Sequence, residues 1–246
     1  MKFQDRANTI LEMLRKNQTV KVEELSSLLQ VSVVTVRKDL QKLEDDGKLI
    51  RTFGGAASGA ADAEEQRRIE AMQIIAERTA QEVQDGDCVI LDAGTTTLLT
   101  AQKLRGKHLK VITNAISVAR EMNRHKGTQV ILLGGELTGD AVFTHGSEAI
   151  KQLEQYGADK LILSISGISC ESGITTRHME AGGLFRKMIE RAEKVIIPAD
   201  DTKIGFESFY HVGDLKVADK LITNDCAENE TELKKMEELG IEICRC

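Results

Sequence analysis

The residues best placed to do chemistry follow four predicted strands, where they could bind a small anion. The first set lies in Asp92-Ala93-Gly94-Thr95-Thr96-Thr97, directly after the apolar run Cys88–Leu91 and before a predicted helix. Glycine permits a tight turn, threonine hydroxyls donate hydrogen bonds, and the free amides at a helix start carry a partial positive charge. Phosphate has the size and the acceptor count for such a loop, so the segment predicts an anion-binding turn.

The ends of later strands extend the same pattern. Thr113 and Asn114 follow a second apolar run, Gly134 and Gly135 follow a third, and Lys203 lies in a later loop where its ammonium could balance a phosphate charge. Because ligands of parallel α/β sheets bind beyond the carboxyl ends of the strands, we expect these residues on one rim. Taken singly, each of them also fits an ordinary strand-to-helix turn.

A second candidate interface is a predicted helix that runs to about Asp45. On a wheel of 100° per residue, Val33, Leu40 and Leu43 fall within about 60° of Val36 and form an apolar stripe. The opposite side presents side chains that can contact a base or a phosphate, with Arg37 and Asp39 on its flanks: Val34, Thr35, Lys38, Gln41 and Lys42. Such cations meet guanine edges and phosphates, and methyl groups contact thymine. The face predicts DNA binding, with a merely solvated helix surface as the alternative.

The elements around this helix predict a winged helix-turn-helix. Apolar residues recur at helical spacing from Arg6 to Lys16 and again from Val22 to about Gln30. The link to the next helix is only Val31-Ser32, and Ser32 can cap that helix. The following segment 48–55 ends in two glycines and predicts a hairpin wing, with Arg51 near the duplex backbone or minor groove.

The remainder of the chain predicts a linker and a second domain. Ala56–Ala61 has only small side chains and indicates a boundary, and Ala63–Val83 is rich in helix formers. From Cys88 onward, short apolar runs alternate with helical stretches, which is typical of a mostly parallel sheet covered by helices. We therefore predict an α/β fold class with a winged helix-turn-helix at 1–56, a linker and connecting helix at 57–83, and an α/β effector-binding domain at 84–246.

Composition and charge agree with a folded two-domain protein. The 246 residues are 41% hydrophobic and 29% charged, with a net charge of −6. Residues 1–52 carry ten Lys/Arg against eight Asp/Glu, so the predicted DNA-binding part is slightly basic and the remainder is acidic. No apolar run approaches the roughly 18 residues of a membrane span, and the first residues do not resemble a signal peptide. We expect a cytoplasmic protein without membrane contact.

The five cysteines predict reduced thiols and no metal centre. Their number is odd and they are scattered along the chain: Cys88, Cys170, Cys226, Cys244 and Cys246. Cys244-Arg245-Cys246 could hold a metal ion, but no second Cys/His pair at finger-like spacing accompanies it. His178 is the one histidine in a suggestive loop, and a solvent-facing histidine is the simpler interpretation. Four carboxylates could gather around Mg²⁺ only if the fold brought them together: Asp92, Glu180, Asp200 and Asp201.

The first 55 residues resemble the DeoR family of bacterial transcriptional regulators. The match runs in order through Arg6, Ile10 and Leu14, then Ser32, Thr35 to Leu40 and Leu43, then Arg51 and Gly54-Gly55. This resemblance implies that residues 32–43 form the recognition helix of a winged DNA-binding domain. It also implies double-stranded operator DNA as a partner and a homo-oligomer, either dimer or tetramer.

The second domain resembles the sensor domain of the same family over nearly its full length. The matching residues are Asp92, Gly94, Thr95, Thr96, Thr113, Asn114, Gly134, Gly135, Asp200, Lys203 and Gly205. In that family these motifs surround a phosphorylated sugar or a related metabolite, in a fold like that of ribose-5-phosphate isomerase. The resemblance implies a repressor of a sugar-metabolism operon that is controlled by a sugar phosphate and needs no further cofactor.

One segment departs from the family pattern. The family commonly has Asp-Gly-Ile-Asp after the fourth strand, whereas this chain has Ser166-Gly167-Ile168-Ser169. Proton transfer at a sugar carbon needs a positioned base, and a serine without a partner is a poor one. We therefore predict no enzyme activity and no catalytic residue. A sugar-phosphate isomerase-like enzyme is the alternative.

Overall fold

The computed structural model describes residues 3–52, 54–137 and 143–246. The chain divides into two compact units, Met1–Ile69 and Glu70–Cys246. Phe53, which belongs to the predicted wing, lies outside the described residues. None of the described helices is both long and apolar enough to cross a membrane.

The first unit is a winged helix-turn-helix, as predicted. Its elements are α1 Phe3–Asn17, β1 Thr19–Lys21, α2 Val22–Leu29, α3 Val33–Asp45, β2 Leu49–Thr52 and β3 Gly55–Ser58. The Ser32 hydroxyl accepts a hydrogen bond from the Thr35 amide at 3.2 Å and caps α3. The apolar sides of the three helices meet in one core that includes Ile10, Leu25 and Leu40.

The wing is more extensive than the predicted hairpin. Its three antiparallel strands lie in the order β1-β3-β2, so β3 has a partner on each side. Gly55 lies so close to β1 that a Cβ atom there would be 2.0 Å from the Val20 carbonyl oxygen. Small residues are thus required by close packing of backbones, and Ala56 and Ala57 are buried.

The predicted linker therefore needs correction. Residues 55–58 form the central wing strand, and Gly59 begins the helix α4, Gly59–Gln81. The division between the two compact units falls within this helix, after Ile69. The predicted boundary at residue 56 cuts through β3, because small residues that pack between two strands look like a linker when only the sequence is read.

The second unit is built on twelve strands and five further helices within the described residues. The helices are α5 Thr95–Lys103, α6 Ile116–Met122, α7 Ser147–Leu153, α8 Gly182–Glu190 and α9 Glu230–Glu238. The strands are β4 Cys88–Leu91, β5 Lys110–Thr113, β6 Gln129–Leu132, β7 Glu136–Leu137, β8 Thr144–His145, β9 Ala158–Ile162, β10 Gly167–Ser169, β11 Gly173–Thr176, β12 Ala192–Pro198, β13 Tyr210–Gly213, β14 Lys220–Thr223 and β15 Glu242–Arg245.

Seven of these strands form the predicted parallel sheet, in the order β15-β14-β12-β9-β4-β5-β6. Every neighbouring pair is parallel. One apolar core packs α7, α8 and α9 on one face, and a second core packs α5, α6 and the end of α4 on the other. The predicted fold class, a winged helix-turn-helix with a mostly parallel α/β domain, is confirmed.

The chain order of the sheet reverses at β4. From this strand the chain proceeds to β5 and β6 on one side, and β9 and β12 follow on the other. The connection after β4 leads to α5 on one face of the sheet and the connection after β9 leads to α8 on the other. In α/β sheets the expected position of a ligand crevice is at such a reversal, here beyond the carboxyl ends of β4 and β9. The sequence does not reveal this strand order.

Two small antiparallel sheets were missed by sequence reading. Strands β10, β11 and β13 form one of them, and β7 pairs with β8 in the other. They contain between two and four residues each, and several include glycine. Strands this short have too few residues for an alternating pattern to stand out.

We predict that Leu40→Ala destabilises the DNA-binding unit by about 2–5 kcal/mol, because Leu40 is buried in its core. Val34→Ala on the same helix should change stability by less than about 0.5 kcal/mol, since 61% of Val34 is exposed. Urea denaturation followed by circular dichroism measures both. Equal losses for the two variants would contradict the orientation of α3.

Candidate functional site

The exposed face of α3 consists of the side chains predicted to read DNA. Val34, Arg37, Lys38, Gln41 and Lys42 are all exposed. Thr35 is half-buried, and its hydroxyl lies 3.0 Å from the Ser32 hydroxyl. The face thus offers cations, an amide and methyl groups, which are the groups that contact phosphates and base edges in a major groove.

Asp39 does not belong to this face, although the helical wheel places it on a flank. Its carboxylate is buried and accepts two hydrogen bonds from Arg6, at 2.5 Å from Nε and 2.9 Å from Nη2. The Asp39 hydrogen bond raises the pKa of Arg6 above its ordinary value. This bidentate pair joins α1 to α3, so that Asp39 orients the helix rather than contacting DNA.

Arg51, which is predicted to lie near the duplex backbone or minor groove, contacts α3. Its side chain donates to the Gln41 carbonyl oxygen and lies 3.8 Å from a carboxylate oxygen of Glu44. Its backbone amide also donates to Glu44, at 2.8 Å. The residue therefore fastens the wing to α3. It would have to exchange these partners in order to contact DNA.

The cations of α3 differ in the contacts that their side chains make with other residues. The Lys42 ammonium lies 4.3 Å from the centroid of the Phe3 ring, in a cation–π contact. Arg37 and Lys38 form no ion pair or side-chain hydrogen bond with any described residue. These two side chains are therefore the most available for phosphates or guanine edges.

The anion-binding turn lies at the crevice between β4 and β9. Gly94 precedes the first residue of α5, and the first amides of a helix have no acceptor within it. Thr95 is exposed at this turn, whereas Thr96 and Thr97 are buried. A Cβ atom on Gly94 would lie 2.1 Å from the Ser164 hydroxyl, so glycine is required by close approach to the loop after β9.

Asp92 is fully buried beneath this turn. One oxygen, Oδ1, accepts hydrogen bonds from the Thr97 hydroxyl and the Ser164 amide, both at 3.0 Å. The other, Oδ2, has no hydrogen-bond partner among the described residues. Burial raises the pKa of Asp92 well above its ordinary value, against the opposing effect of the two hydrogen bonds. Asp92 and Thr97 thus position the turn and do not reach solvent.

Thr113 and Asn114, which are predicted to contact an effector, are also internal. The Thr113 hydroxyl accepts a hydrogen bond from the Ala115 amide at 3.0 Å. The Asn114 side-chain amide nitrogen donates to the Thr144 carbonyl at 3.0 Å, while the side-chain oxygen Oδ1 has no partner among the residues described. These residues connect the end of β5 to β8 and build the floor of the rim.

The glycine pair follows β6 and approaches α7. The Gly134 amide donates to the Gln152 side-chain oxygen at 2.8 Å. Gly135 is exposed, with φ of 142°, and a Cβ atom there would lie 2.4 Å from the His145 carbonyl oxygen. Both the left-handed backbone and the close approach require glycine at this position.

Lys203 lies in a 3₁₀-helix, Asp201–Lys203, beyond the carboxyl end of β12. The buried Asp200 carboxylate caps this turn by accepting from the Thr202 amide at 3.0 Å. The Gly205 amide donates to the Ile168 carbonyl, which places the turn against β10. The Lys203 ammonium is half-buried and has no ion-pair partner in the described part of the chain.

Ser166 and Ser169, which replace the family's aspartates, are engaged within the fold. The Ser166 hydroxyl accepts from the Arg177 amide at 3.1 Å, and the Ser169 hydroxyl accepts from the Ser172 amide at 2.9 Å. Both residues are buried. Their hydroxyls thus hold the small sheet of β10 and β11, and neither is placed as a base.

Sequence reasoning missed two residues of this region. Ser164 contacts both Asp92 and Gly94, but only the adjacency of β4 and β9 reveals it. Arg177 is exposed after β11, and its guanidinium forms no ion pair with a described residue. In the sequence, the position of Arg177 beside His178 in a predicted loop could have indicated it as a site residue.

The remaining candidates for metal or acid–base chemistry do not converge. His178 lies 3.2 Å from the Glu180 carboxylate and packs edge-on against Phe143 at 5.3 Å. Backbone hydrogen bonding and the neighbouring His178 lower the pKa of Glu180. Among the described residues, no three His, Cys, Asp or Glu side chains are grouped to hold a metal ion.

A winged helix-turn-helix joined to a parallel α/β domain with a polar rim defines a class of ligand-responsive DNA-binding regulators. Two family descriptions match the chain: the DeoR-like helix-turn-helix domain at residues 6–61 and the DeoR C terminal sensor domain at residues 67–225. The chain belongs to the DeoR family of transcriptional regulators.

Full-length relatives agree with this assignment. The HTH-type transcriptional repressor GlcR of Bacillus subtilis (strain 168) is 37% identical, covering 98% of this chain and 95% of that protein. The lactose phosphotransferase system repressor of Streptococcus mutans is 32% identical, covering 96% and 97%. These relatives are regulators of transcription, and this chain is a DNA-binding regulator rather than an enzyme.

One similar solved structure is ribose 5-phosphate isomerase A from Methanocaldococcus jannaschii. It matches with a TM-score of 0.39 and 13% identity, covering 54% of this chain and 52% of that one. This similarity is too low to support a conclusion about function.

We predict that Gly94→Ala destabilises the sensor domain by about 1–3 kcal/mol, because its Cβ would overlap the Ser164 side chain. Ser164→Gly in the same chain should restore most of the loss, since it removes the overlapping atoms. Gly157→Ala is the control, because the nearest atom to its Cβ would be 3.9 Å away. Urea unfolding measures the coupling, and additive effects of the two substitutions would contradict the contact.

A second prediction concerns the pH dependence of stability. The raised pKa of Asp92 means that the unfolded chain releases this proton at a lower pH than the folded chain. Wild-type stability therefore declines relative to Asp92→Asn as the pH rises above about 4, and the two converge below it. Urea unfolding between pH 4 and 8 measures the difference. A difference that stays constant with pH would show that Asp92 ionises normally.

Proposed function

We propose that this chain is a sequence-specific repressor of a sugar-metabolism operon, controlled by a phosphorylated sugar at the carboxyl edge of its seven-stranded sheet. The observation that carries the proposal is the turn at Gly94, where α5 begins beyond the carboxyl end of β4, the strand next to β9. Helix N-termini bind phosphate through their free amides. The names of the relatives, among them a lactose phosphotransferase system repressor, support a sugar-related operon.

Two groups of residues have different roles in this proposal. The amides at Gly94, Thr95 and Thr96, the exposed Gly135 and the ammonium of Lys203 contact the effector, and the Arg177 guanidinium adds a second cation. The buried side chains Asp92, Thr97, Thr113 and Asn114 hold the rim in shape. An anion that meets amides and two cations gains charge-assisted hydrogen bonds, which are stronger than neutral ones.

Each copy of the chain presents few cations to the DNA. Arg37 and Lys38 have no ion-pair partner among the described residues, and one such helix supplies too few phosphate contacts for tight binding. We therefore propose that a homo-oligomer presents two or more recognition helices to operator half-sites about 10 base pairs apart or at multiples of that spacing. Effector binding then alters operator affinity by roughly 5–150-fold, the usual range of allosteric coupling.

Two substitutions should separate DNA binding from effector binding, because each should weaken one of them and leave the other unchanged. Arg37→Ala should weaken binding to a selected duplex by about 5–150-fold, the loss of one base-contacting arginine, and leave effector-induced thermal stabilisation unchanged. Lys203→Ala should weaken effector binding at least about tenfold, the loss of one charged hydrogen bond, and leave effector-free DNA binding unchanged. Fluorescence anisotropy with a duplex selected from a random pool, and thermal shifts with a panel of phosphosugars, measure the two affinities.

Lys110→Ala is the matched control for Lys203, because it removes an exposed lysine from the opposite, amino-terminal edge of the same sheet. It should alter neither property. If no phosphosugar stabilises the wild-type protein, the effector proposal is wrong while the DNA-binding proposal stands. If Arg37→Ala binds the selected duplex as the wild type does, α3 is not the reading helix.

A further inference from the structure

Positive charge is concentrated at the ends of α5 and α6, on a chain that is otherwise acidic. Residues 103–107 and 120–126 carry six Lys/Arg against one Asp/Glu, whereas the rest of the chain carries 27 against 38. Each helix begins beyond the carboxyl end of one strand and is followed by the next parallel strand, so both helices end at the amino-terminal edge of the seven-stranded sheet. This charge therefore lies at the edge opposite the turn at Gly94.

The loop after α5 and the turn after α6 pack against each other. The Thr128 hydroxyl donates to the Lys107 carbonyl at 3.2 Å, and a Cβ atom on Gly127 would lie 2.2 Å from the His108 ring. The Lys107 ammonium in turn donates to the Ala80 carbonyl at 2.8 Å and fastens this loop to the end of α4. The cations of the two segments therefore belong to one surface of the domain.

Glu121 is the carboxylate beneath this surface. It is buried, and its oxygens accept hydrogen bonds from Arg105 at 3.0 Å and from Arg124 at 3.4 Å. The two arginine side chains nevertheless remain 68% and 59% exposed. One carboxylate thus holds two guanidinium groups, and each of these has five N–H donors, more than Glu121 can occupy.

Two more cations adjoin this pair. Arg120 lies in the last turn of α6, and Lys126 follows His125, whose buried ring lies 3.5 Å from Glu121. Both cations are exposed, and neither has an ion-pair partner within the described residues. We call these four cations the cationic surface: Arg105, Arg120, Arg124 and Lys126. Glu121 and the α6 dipole, which adds about half a negative charge at this end, balance less than half of their charge.

We propose that the cationic surface contacts the phosphates of duplex DNA that flanks the sequence read by the recognition helix. Three of its four cations are arginines, whose planar guanidinium groups bind phosphate through paired hydrogen bonds. DNA held by the helix-turn-helix meets a second surface of the same chain at a roughly millimolar effective concentration, so contacts too weak to act alone add to the affinity. The proposal rests on the proposed reading of DNA by α3 and is independent of the effector.

Two duplexes measure the contribution of the flanks. The core duplex is the selected sequence trimmed to the base pairs that the selection fixes, and the flanked duplex extends it by about 20 base pairs, or two helical turns, on each side. Fluorescence anisotropy over a range of salt concentrations gives both affinities. Wild-type protein should bind the flanked duplex at least about tenfold more tightly at low salt, and this affinity should fall more steeply with salt, because each phosphate contact releases counterions. Since the core duplex tests α3 and the flanks test the cationic surface, the two proposals can fail separately.

Three substitutions remove the proposed contacts. Arg120→Gln, Arg124→Gln and Lys126→Gln, combined in one variant, leave Arg105 as a partner of Glu121. This triple variant should lose most of the preference for the flanked duplex, and the slope of log affinity against log salt should decrease by about one for each cation. Binding to the core duplex should be unchanged. The double variant Arg120→Gln/Lys126→Gln, which leaves both partners of Glu121, should show about two-thirds of this decrease.

The matched control is a second triple variant, Lys151→Gln/Lys216→Gln/Lys234→Gln. These lysines are exposed on other segments of the domain, so the control loses the same charge while the cationic surface stays intact. It should keep the preference for the flanked duplex. Thermal melting and light scattering of each variant check the fold and the oligomeric state.

Three results would overturn the proposal. Equal affinity of the wild type for the core and flanked duplexes would show that the flanks are not contacted. Equal losses in the control and in the triple variant at the cationic surface would show that only net charge matters. A change of oligomeric state in the variant at the cationic surface would show that this surface is a contact between copies of the chain.

Discussion

The position of the turn at Gly94 depends on the buried carboxyl group of Asp92. It accepts a hydrogen bond from each side of the crevice, from Thr97 in the turn after β4 and from the Ser164 amide after β9. These two strands are adjacent although they are far apart in sequence, and the chain order of the sheet reverses between them. Without this bridge, nothing polar in the described residues joins the turn at Gly94 to the loop after β9. The helix amides that would face an anion therefore owe their position to a group that never reaches solvent.

A buried carboxyl group also positions a helix in the DNA-binding unit. There, however, its negative charge is balanced by a neighbouring cation. Asp39 is neutralised by the bidentate contact with Arg6, so that a full charge is buried with its partner. Asp92 has no cation among its hydrogen-bond donors, and its raised pKa favours the neutral acid. Both residues belong to the pattern that the sequence presents as a candidate site. Both act by holding a helix in position, while their exposed neighbours Arg37 and Thr95 are left to meet ligands.

Much of the architecture followed from local patterns. The helices of the first unit, the Ser32 cap and the alternation of strands and helices after Cys88 come from short-range spacing, which a sequence displays directly. The third wing strand and the small sheet of β10, β11 and β13 could not be predicted from such spacing, because these strands are short. In addition, β1 pairs with β3 and β13 pairs with β11, and these partners are distant in the chain. The small residues at 56–58 looked like a linker for the same reason. Only the position of Ala56 and Ala57 between two strands explains why small residues are required there.

The sequence by itself determined the two-part organisation, the face of α3 and the polar ends of successive strands, since helical and strand periodicities are local properties. The tertiary structure decided which of those polar groups face outward. Strand order brought Ser164 to Asp92 and Gly94, and packing turned Asp39, Thr113 and Asn114 inward. Burial and adjacency arise from the folding of distant segments against one another, so no local pattern encodes them.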